Sequence, residues 1–208
     1  MDKSKLAVDT YEKIADKYAQ QYFDDLADVP YIDIFLEKLP VNGRILDVGS
    51  GPGQFAKHML EKGFEVIGVD FSKEMVEIAK NKVPNVEFRH MDMRQLDFPD
   101  SSFDGVFSAY SLIHIPSEEV PATLLGFHRV LKAGGFVEIA VQKGEADKII
   151  DEPFMPSEKM FFNFFTEVGI ASYLKEAGFT IESQEIMSIV DAETMSDKVI
   201  YTIAKKQL

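Results

Sequence analysis

Three glycines and an aspartate near the start of the chain have the spacing of a nucleoside-binding turn. The segment Asp47–Gly53 carries glycine at positions 49, 51 and 53, in the pattern Gly-x-Gly-x-Gly. A dinucleotide-binding turn would place its third glycine at position 54, which is occupied here by Gln54. Because the carboxylate of Asp47 would repel a pyrophosphate, the turn favours a ligand that carries a positive charge.

A second acid follows at the spacing expected of a ribose-binding residue. Asp70 lies 21 residues after Gly49, directly after the apolar segment Glu65–Val69. An acid at the tip of the second strand of a nucleotide-binding unit can accept hydrogen bonds from both ribose hydroxyls. One acid for a cation and one for a ribose therefore indicate a site for a positively charged nucleoside.

The residues around the glycines predict the elements that position them. Ile45–Val48 is an apolar run typical of a buried parallel strand. Gln54–Lys62 can form a helix, with Gly63 as its C-cap. A strand, a glycine turn and a helix open a βαβ unit, in which glycine lets the backbone approach a ligand closely and adopt positive φ.

These motifs resemble those of a known enzyme family. DVGSGPG at 47–53 and GVDFS at 68–72 resemble the first two motifs of class I S-adenosylmethionine-dependent methyltransferases, and the small-molecule branch with the quinone-biosynthesis C-methyltransferases in particular. The alternatives are the glycine loop of another Rossmann protein or a plain turn. The resemblance implies an α/β, Rossmann-like three-layer sandwich. Its seven-stranded, mostly parallel sheet would have the order 3-2-1-4-5-7-6, one antiparallel strand and helices on both faces.

The resemblance also implies which residues bind S-adenosylmethionine and its product S-adenosylhomocysteine. Met75 would lie beside the adenine or ribose, and Asp92 would bond the adenine amino group while Met93 packs against the ring. Packing is the alternative for Met75, and capping of a loop is the alternative for Asp92. The full set of predicted cofactor-binding residues is Tyr11, Tyr18, Asp47, Gly49, Ser50, Gly51, Gly53, Asp70, Phe71, Ser72, Met75, Asp92, Met93, Ser108, Ala109 and Tyr110.

His114 is the candidate catalytic residue. It follows the predicted fourth strand by a few residues, near the point where a methyl acceptor must enter. Imidazole titrates in the range useful for a general base. A base is needed only if the acceptor must lose a proton, and the alternative is that His114 caps the turn before Pro116.

The chain as a whole predicts one domain, residues 1–208, in which strands and helices alternate. Residues 1–40 are predicted to be helical, with a break at Pro30. They resemble the leader that forms a lid over the cofactor in this family. Tyr11 and Tyr18 would contact the ligand, and the alternative is that they pack in the core. Later helices are predicted to begin at Ser72, at Pro116–Ser117 and at Thr166. Further strands are predicted at 86–90, 105–109, 136–141, 180–190 and 198–205, the last two as a hairpin with an acidic turn.

Residues 142–166 are predicted to be a variable insertion on the acceptor side, mostly an exposed loop. The segment Met160–Phe165 contains four phenylalanines in six residues. Some of these rings should face the cleft above Ser108–His114 and line a pocket for an apolar or aromatic acceptor. The alternative is that all four rings pack under the last helix.

Composition and charge exclude several other classes of protein. The chain has 208 residues, enough for a full core, and a net charge of −13, which disfavours DNA and RNA partners. It has no cysteine, so disulfides and thiolate metal sites are excluded; no metal is predicted, and a cytoplasmic location is expected. Since no signal peptide and no apolar run of spanning length is found, no membrane insertion is expected.

The sequence thus favours a methyltransferase that moves a methyl group from S-adenosylmethionine to a small, apolar or aromatic molecule by in-line displacement. The alternatives are a protein or tRNA methyltransferase, and a member of the fold that binds the cofactor without catalysis. The sequence leaves open the acceptor, the methylated atom (C, N, O or S), and whether the protein is a monomer or a homodimer.

Overall fold

The computed structural model describes residues 3–25, 27–188 and 198–207, which form a seven-stranded sheet, a separate two-stranded hairpin and six α-helices. The strands are β1 (Arg44–Val48), β2 (Glu65–Asp70), β3 (Glu87–His90), β4 (Phe103–Ala109), β5 (Leu131–Gln142), β6 (Lys148–Glu152), β7 (Met155–Phe162), β8 (Phe179–Ser188) and β9 (Lys198–Lys206). The helices are α1 (Lys3–Tyr22), α2 (Val29–Leu36), α3 (Gln54–Glu61), α4 (Lys73–Lys82), α5 (Val120–Val130) and α6 (Glu167–Glu176), and two short 3₁₀ turns lie at Met93–Gln95 and Leu112–His114.

The order of the strands in the large sheet is β3-β2-β1-β4-β5-β9-β8. The first five are parallel to one another, whereas β9 is antiparallel to both β5 and β8. Because β6 and β7 form the separate hairpin, counting only the strands of the large sheet gives 3-2-1-4-5-7-6, and the predicted fold is confirmed. The order reverses between β1 and β4, and ligands of open α/β sheets bind at the carboxyl ends of the strands beside such a reversal.

Apolar side chains cover both faces of the sheet. Successive residues of β1 alternate between the two cores, with Leu46 and Val48 on one face and Ile45 on the other. The first core also contains residues of α1, α5 and α6, and the second contains residues of α2, α3 and α4. Pro30 lies in the first turn of α2, where its missing N–H leaves no helical hydrogen bond unmade.

The prediction of an exposed loop at residues 142–166 was wrong. The hairpin β6–β7 occupies most of this segment, and Met160, Phe161 and Phe162 at its end are buried. Much of the rest of the hairpin is exposed and polar, which is why its composition resembles that of a loop. Thr10 of α1 donates a hydrogen bond to the carbonyl of Lys159 at 3.0 Å, so a helix distant in sequence covers the hairpin.

Two predicted boundaries also differ from the structure. Helix α5 begins at Val120 rather than at Pro116–Ser117, because the carbonyl of Pro116 accepts the N–H groups of Glu119 and Val120 in a turn. Strand β5 begins at Leu131 rather than at residue 136, and its pairing with β4 shifts register between Phe103 and Gly105. Strand β8 is described as far as Ser188, and both the predicted end of this strand at residue 190 and the predicted acidic turn lie outside the described residues. No helix within the described ranges is long and apolar enough to cross a membrane.

Candidate functional site

A cavity of about 820 Å³, including its mouth, lies at the carboxyl ends of β1, β2 and β4. The predicted residues that line it are Tyr11, Tyr18, Gly49, Gly51, Asp70, Phe71, Met75, Asp92, Met93, Ala109, Tyr110 and His114. The predicted residues that do not line it are Asp47, Ser50, Gly53, Ser72 and Ser108. We call this space the first cavity.

The glycine turn forms one wall of the first cavity. Gly49, Gly51 and Gly53 have φ angles of 71°, 52° and 90°, which strain any residue with a Cβ. A Cβ on Gly49 would lie 2.2 Å from the Cβ of Ser111, whereas the nearest atom to a Cβ on Gly51, apart from its chain neighbours, would be 3.9 Å away. A Cβ on Gly53 would instead lie 3.0 Å from the Cζ atom of Phe88. Gly51 is thus the glycine that leaves room for a ligand.

Asp70 joins the glycine turn to the start of α4. Its two carboxylate oxygens accept the N–H groups of Gly51 and Ser72, each at 2.8 Å. Burial raises the pKa of the Asp70 carboxyl, although these two N–H groups act in the opposite direction. Each oxygen keeps a second lone pair for a ligand hydroxyl. The Ser72 hydroxyl accepts the N–H of Met75 at 3.2 Å, so this serine caps α4.

Asp47 and Ser50 lie within the strand and turn and are buried. The Oδ2 atom of Asp47 and the Oγ atom of Ser50 have no hydrogen-bond partner among the described residues. Burial, together with the negative charge of Asp70, raises the pKa of Asp47 to about 8. Buried polar atoms without partners require a ligand or water to satisfy them. Two buried polar groups without partners therefore lie beside the glycine turn.

The opposite wall contains the methionines that follow β3. Met91 and Met93 line the cavity with Met75. Asp92 caps the adjacent 3₁₀ turn by accepting the N–H of Arg94 at 2.9 Å, and the same carboxylate pairs with the Arg94 guanidinium at 2.7 Å. Asp92 therefore caps a turn, which was the alternative to a role in binding, and its hydrogen bond to an adenine stays a prediction.

Two serines join β4 to β1 behind the cavity. Ser111 donates a hydrogen bond to the carbonyl of Val48 at 2.7 Å, so Ser108 donates to the Ser111 hydroxyl, also at 2.7 Å. Ser108 is fully buried by this arrangement, whereas Ser111 lines the cavity. The serine that reaches the site is thus the one in contact with Gly49.

His114 is held in one tautomer. A carbonyl only accepts hydrogen bonds, so Nδ1 must donate to the Phe161 carbonyl at 2.9 Å. Nε2 therefore accepts from the Tyr11 hydroxyl at 3.0 Å. Burial lowers the pKa of His114 to about 4, so the ring is neutral near pH 7. Because Tyr11 occupies the basic nitrogen, the geometry points to a role in positioning Tyr11, and direct action of His114 as a base stays a prediction.

A second cavity of about 1030 Å³, including its mouth, adjoins the first. The two share five lining residues, Tyr11, Tyr18, Gln54, Phe55 and Tyr110. Met160 and Phe162 line the second cavity from β7. Phe161, Phe164 and Phe165 are buried elsewhere, in keeping with the packing alternative for those three rings.

Sequence reasoning missed seven residues of the first cavity, whereas Ser111 belongs to the segment that was expected to face the site. The seven are Ser4, Ala7, Val8, Gln54, Phe55, Met91 and Ile115. The first three lie on the face of α1 that carries Tyr11 and Tyr18, so helical spacing could have found them. The others flank motifs that the sequence identifies, and their side chains alone carry no signal for a ligand.

Comparison with known proteins identifies the family. A family profile described as a methyltransferase domain matches residues 45–135, from β1 into β5. A phosphatidylethanolamine N-methyltransferase of Cereibacter sphaeroides is 32% identical over 171 residues, which cover 79% of this chain and 80% of the relative. A demethylmenaquinone methyltransferase of Chlorobaculum parvum is 33% identical over 130 residues, which cover 60% of this chain and 48% of the relative.

A solved structure shows the same fold. It is the 1,6-didemethyltoxoflavin-N1-methyltransferase of Burkholderia thailandensis, with bound 1,6-didemethyltoxoflavin and S-adenosylhomocysteine. The TM-score is 0.78 at 21% identity, and the match covers 99% of this chain and 89% of that one. The chain spans about half the length of the first curated relatives that it matches. With its glycine turn, its strand-end acid and its sheet order, the chain belongs to the class I S-adenosylmethionine-dependent methyltransferases.

Proposed function

We propose that this protein transfers a methyl group from S-adenosylmethionine to a small molecule with an apolar or aromatic body. The observation that carries the proposal is the shared wall between two cavities. The first cavity is built on the motifs of the family, and the second is bounded by α1 and the β6–β7 hairpin, which lie outside the matched segment. Two ligands in these spaces would meet at Tyr11, Tyr18 and Tyr110.

The residues of the first cavity fit the cofactor. Asp70 offers lone pairs to the ribose hydroxyls, and the open space at Gly51 would receive the methionine part of the ligand. Met75 and Met93 offer apolar surfaces to the adenine. When bound, S-adenosylmethionine supplies an electrophilic methyl carbon on a sulfonium, and the chain's part is to align the acceptor and to exclude water.

Helix α1, the main part of the predicted leader 1–40, has the contacts required of a lid. Thr10 bonds the hairpin through the carbonyl of Lys159, and the Glu12 carboxylate accepts the N–H of Lys73 at the start of α4, at 2.6 Å. Tyr11 lies between these anchors in sequence, Tyr18 follows about two turns later in α1, and both line the two cavities. We therefore propose that α1 covers the cofactor and separates the reacting groups from solvent.

The lining of the second cavity supports the proposal that the methyl acceptor is a small molecule. Side chains from α1, the hairpin and the end of β4 surround a space suited to a small molecule. The net charge of −13 disfavours tRNA as the alternative acceptor. The lack of cysteine is consistent with a cytoplasmic location, which we propose together with a monomeric or homodimeric state.

The test of the cofactor assignment is calorimetric titration with S-adenosylmethionine and S-adenosylhomocysteine. We expect the wild type to bind both and Gly51→Val to bind neither, because the valine side chain would occupy the cavity at a φ of 52°. Gly126→Val is the matched control, since a Cβ at Gly126 of α5 would meet nothing within 4 Å. Wild-type affinity in Gly51→Val would show that the turn does not hold the cofactor. A screen of acceptors with the loaded enzyme then tests methyl transfer itself.

A further inference from the structure

The second cavity is lined by carboxylates, side-chain amides and tyrosine hydroxyls. Three carboxylates line it, those of Asp25, Asp28 and Glu152, and two side-chain amides line it, those of Gln54 and Gln142. Its described lining contains no lysine, arginine or histidine. The nearby ammonium of Lys17 donates to the backbone carbonyl of Phe154 at 3.4 Å and is not part of the lining. The lining of the cavity therefore offers hydrogen-bond acceptors and negative charge, while the positive charge of Lys17, outside the lining, lowers the pKa of Glu152 without offsetting the effect of burial.

The oxygen atoms of both side-chain amides are buried without a hydrogen-bond donor among the described residues. Gln142 is 7% exposed, and its Oε1 atom has no hydrogen-bond partner in the described part of the chain. The Oε1 atom of Gln54, on the wall shared by the two cavities, is also buried without one. Since buried polar atoms are nearly always hydrogen-bonded, a ligand with N–H groups would satisfy them.

Aromatic rings form a continuous wall along one side of this cavity. The ring centroids of Tyr11 and Tyr18 are 5.6 Å apart, those of Tyr18 and Tyr22 are 4.7 Å apart, and those of Tyr22 and Phe154 are 6.0 Å apart. The faces of such rings attract cations. The tyrosines come from positions 11, 18 and 22 of α1, so one helix face presents them together.

The carboxylates are held in place before any ligand binds. Asp28 accepts hydrogen bonds from the hydroxyls of Tyr110, at 2.9 Å, and Tyr201. Glu152 accepts the N–H of Met155 at 2.8 Å. Burial raises the pKa of both carboxyl groups above their ordinary values. An adjacent cation would therefore be attracted, because it would stabilise the ionised forms.

We propose that the methyl acceptor carries a protonated amine, which the carboxylates, amide oxygens and tyrosine rings of the second cavity bind. The inference rests on the proposed function, since it names the acceptor class of the same site. The apolar part of the acceptor would lie against Ile113, Met160 and Phe162, which share this cavity. A small arylalkyl or alkyl amine combines these two properties.

Calorimetry with matched pairs of ligands tests this inference. A panel of arylalkyl and alkyl amines, each paired with the alcohol of the same skeleton, is titrated into the protein saturated with S-adenosylhomocysteine. For the pair 2-phenylethylamine and 2-phenylethanol, we expect the amine to bind at least about tenfold more tightly, as one charge-assisted hydrogen bond would give. 3-Phenylpropanoate, which carries a carboxylate, should bind more weakly than the alcohol.

Two neighbouring carboxylates of β6 provide a matched pair of variants. Glu152→Gln should reduce amine affinity at least about tenfold and leave the alcohol unaffected. Asp151→Asn should change neither, because Asp151 is exposed and pairs with Lys159 away from the cavity. Asp28→Asn should act like Glu152→Gln, and it retains an oxygen to accept the tyrosine hydroxyls.

The outcomes separate this inference from the proposed function. If the wild type does not bind S-adenosylhomocysteine, the proposed function fails. If it binds S-adenosylhomocysteine but no amine of the panel binds more tightly than its alcohol, only the acceptor class is overturned. Equal loss of amine and alcohol in Glu152→Gln would also overturn it, because the carboxylate would then serve the shape of the cavity rather than the charge of the ligand.

Discussion

The ionisable side chains Asp70 and His114 of the first cavity are already held in place by their neighbours. Asp70 is fixed by two backbone N–H groups, and His114 is fixed between the Phe161 carbonyl and the Tyr11 hydroxyl. Groups that are ordered in advance lose little conformational entropy when a ligand binds. His114 also shows what its residue type cannot reveal, because its tautomer and its occupied nitrogen depend on residues 47 and 103 positions away.

Replacement of Asp70 tests the ribose assignment. We expect Asp70→Ala to weaken S-adenosylmethionine binding by about 1.5–3 kcal/mol or more, the usual cost of a lost charge-assisted hydrogen bond. Calorimetry gives the affinity and a thermal melt gives the stability, with Glu74→Ala as an exposed control in the first turn of α4. Unchanged affinity in a variant that melts like the wild type would reject the assignment.

Asp47 predicts a pH dependence of stability in the ligand-free protein. Its pKa is raised from 3.8 to about 8, so folding favours the protonated form. This contribution to stability is present below the unfolded pKa and is lost as the pH rises toward the folded pKa. Asparagine carries no charge at any pH. The free energy of unfolding of Asp47→Asn should therefore rise relative to that of the wild type as the pH is raised from about 5 to about 8. The gain should be at least about 1.4 kcal/mol, the free energy of one pKa unit.

Urea unfolding of the wild type and of Asp47→Asn, at about pH 5 and about pH 8, measures this gain in stability. Asp104→Asn is an informative comparison, because the pKa of Asp104 is lowered by hydrogen bonds from the Arg44 N–H and from Lys132 despite partial burial. Its wild-type carboxylate stabilises the fold above the unfolded pKa, so the replacement should cost stability at both pH values. A constant difference between wild type and Asp47→Asn would show that Asp47 is not protonated in the folded chain.

Among the elements, β7 presents alternate side chains to the second cavity and to the interior of the protein. Met160 and Phe162 face the second cavity, and Phe161 between them points elsewhere into the interior. We expect Phe161→Leu and Phe162→Leu each to cost about 1 kcal/mol or somewhat more, since both replacements keep a large apolar side chain. Only Phe162→Leu should change the affinity for 2-phenylethylamine in the presence of S-adenosylhomocysteine.

Thermal melts and calorimetry on this pair separate packing from binding. Equal effects of the two substitutions on amine affinity, after correction for stability, would mean that Phe162 acts as a core residue. A larger binding effect of Phe161→Leu would mean that the hairpin register presents the opposite face to the ligand.

The elements also show where prediction from sequence ends. The unit β1–α3–β2 was predictable because its signals are local, namely an apolar run, a glycine turn and an acid at the next strand end. The hairpin β6–β7 was not, because its polar residues resemble a loop and its apolar end is buried by residues from other parts of the chain. Asp92 lines the first cavity, but its pairing with Arg94 competes with the predicted contact to adenine.

On the scale of the molecule, the two cavities differ in how they are assembled. The first cavity is based on consecutive βα units, whereas the second joins α1, the segment before α2, β5 and the hairpin. The contact between Thr10 and Lys159 spans 149 positions of sequence. Motifs thus predict the first cavity, whereas the second cavity can be found only in the folded chain.

This arrangement predicts that cofactor binding stabilises both the whole fold and α1. At about 100 times its dissociation constant, S-adenosylhomocysteine should add about 2.7 kcal/mol, which raises the melting temperature of a chain of this size by roughly 5–10 °C. Hydrogen exchange should slow in α1 by up to about 100-fold, because Tyr11 and Tyr18 would have to leave the ligand before α1 could open.

Strands β8 and β9 serve as the internal control in the exchange experiment, since neither contributes to the first cavity. Their local openings should keep the rates of the ligand-free protein, whereas exchange that requires global unfolding should slow everywhere. A rise in melting temperature without protection of α1 would mean that the helix does not cover the cofactor. Absence of any rise would contradict the cofactor assignment, because a ligand that binds only the folded state must stabilise it.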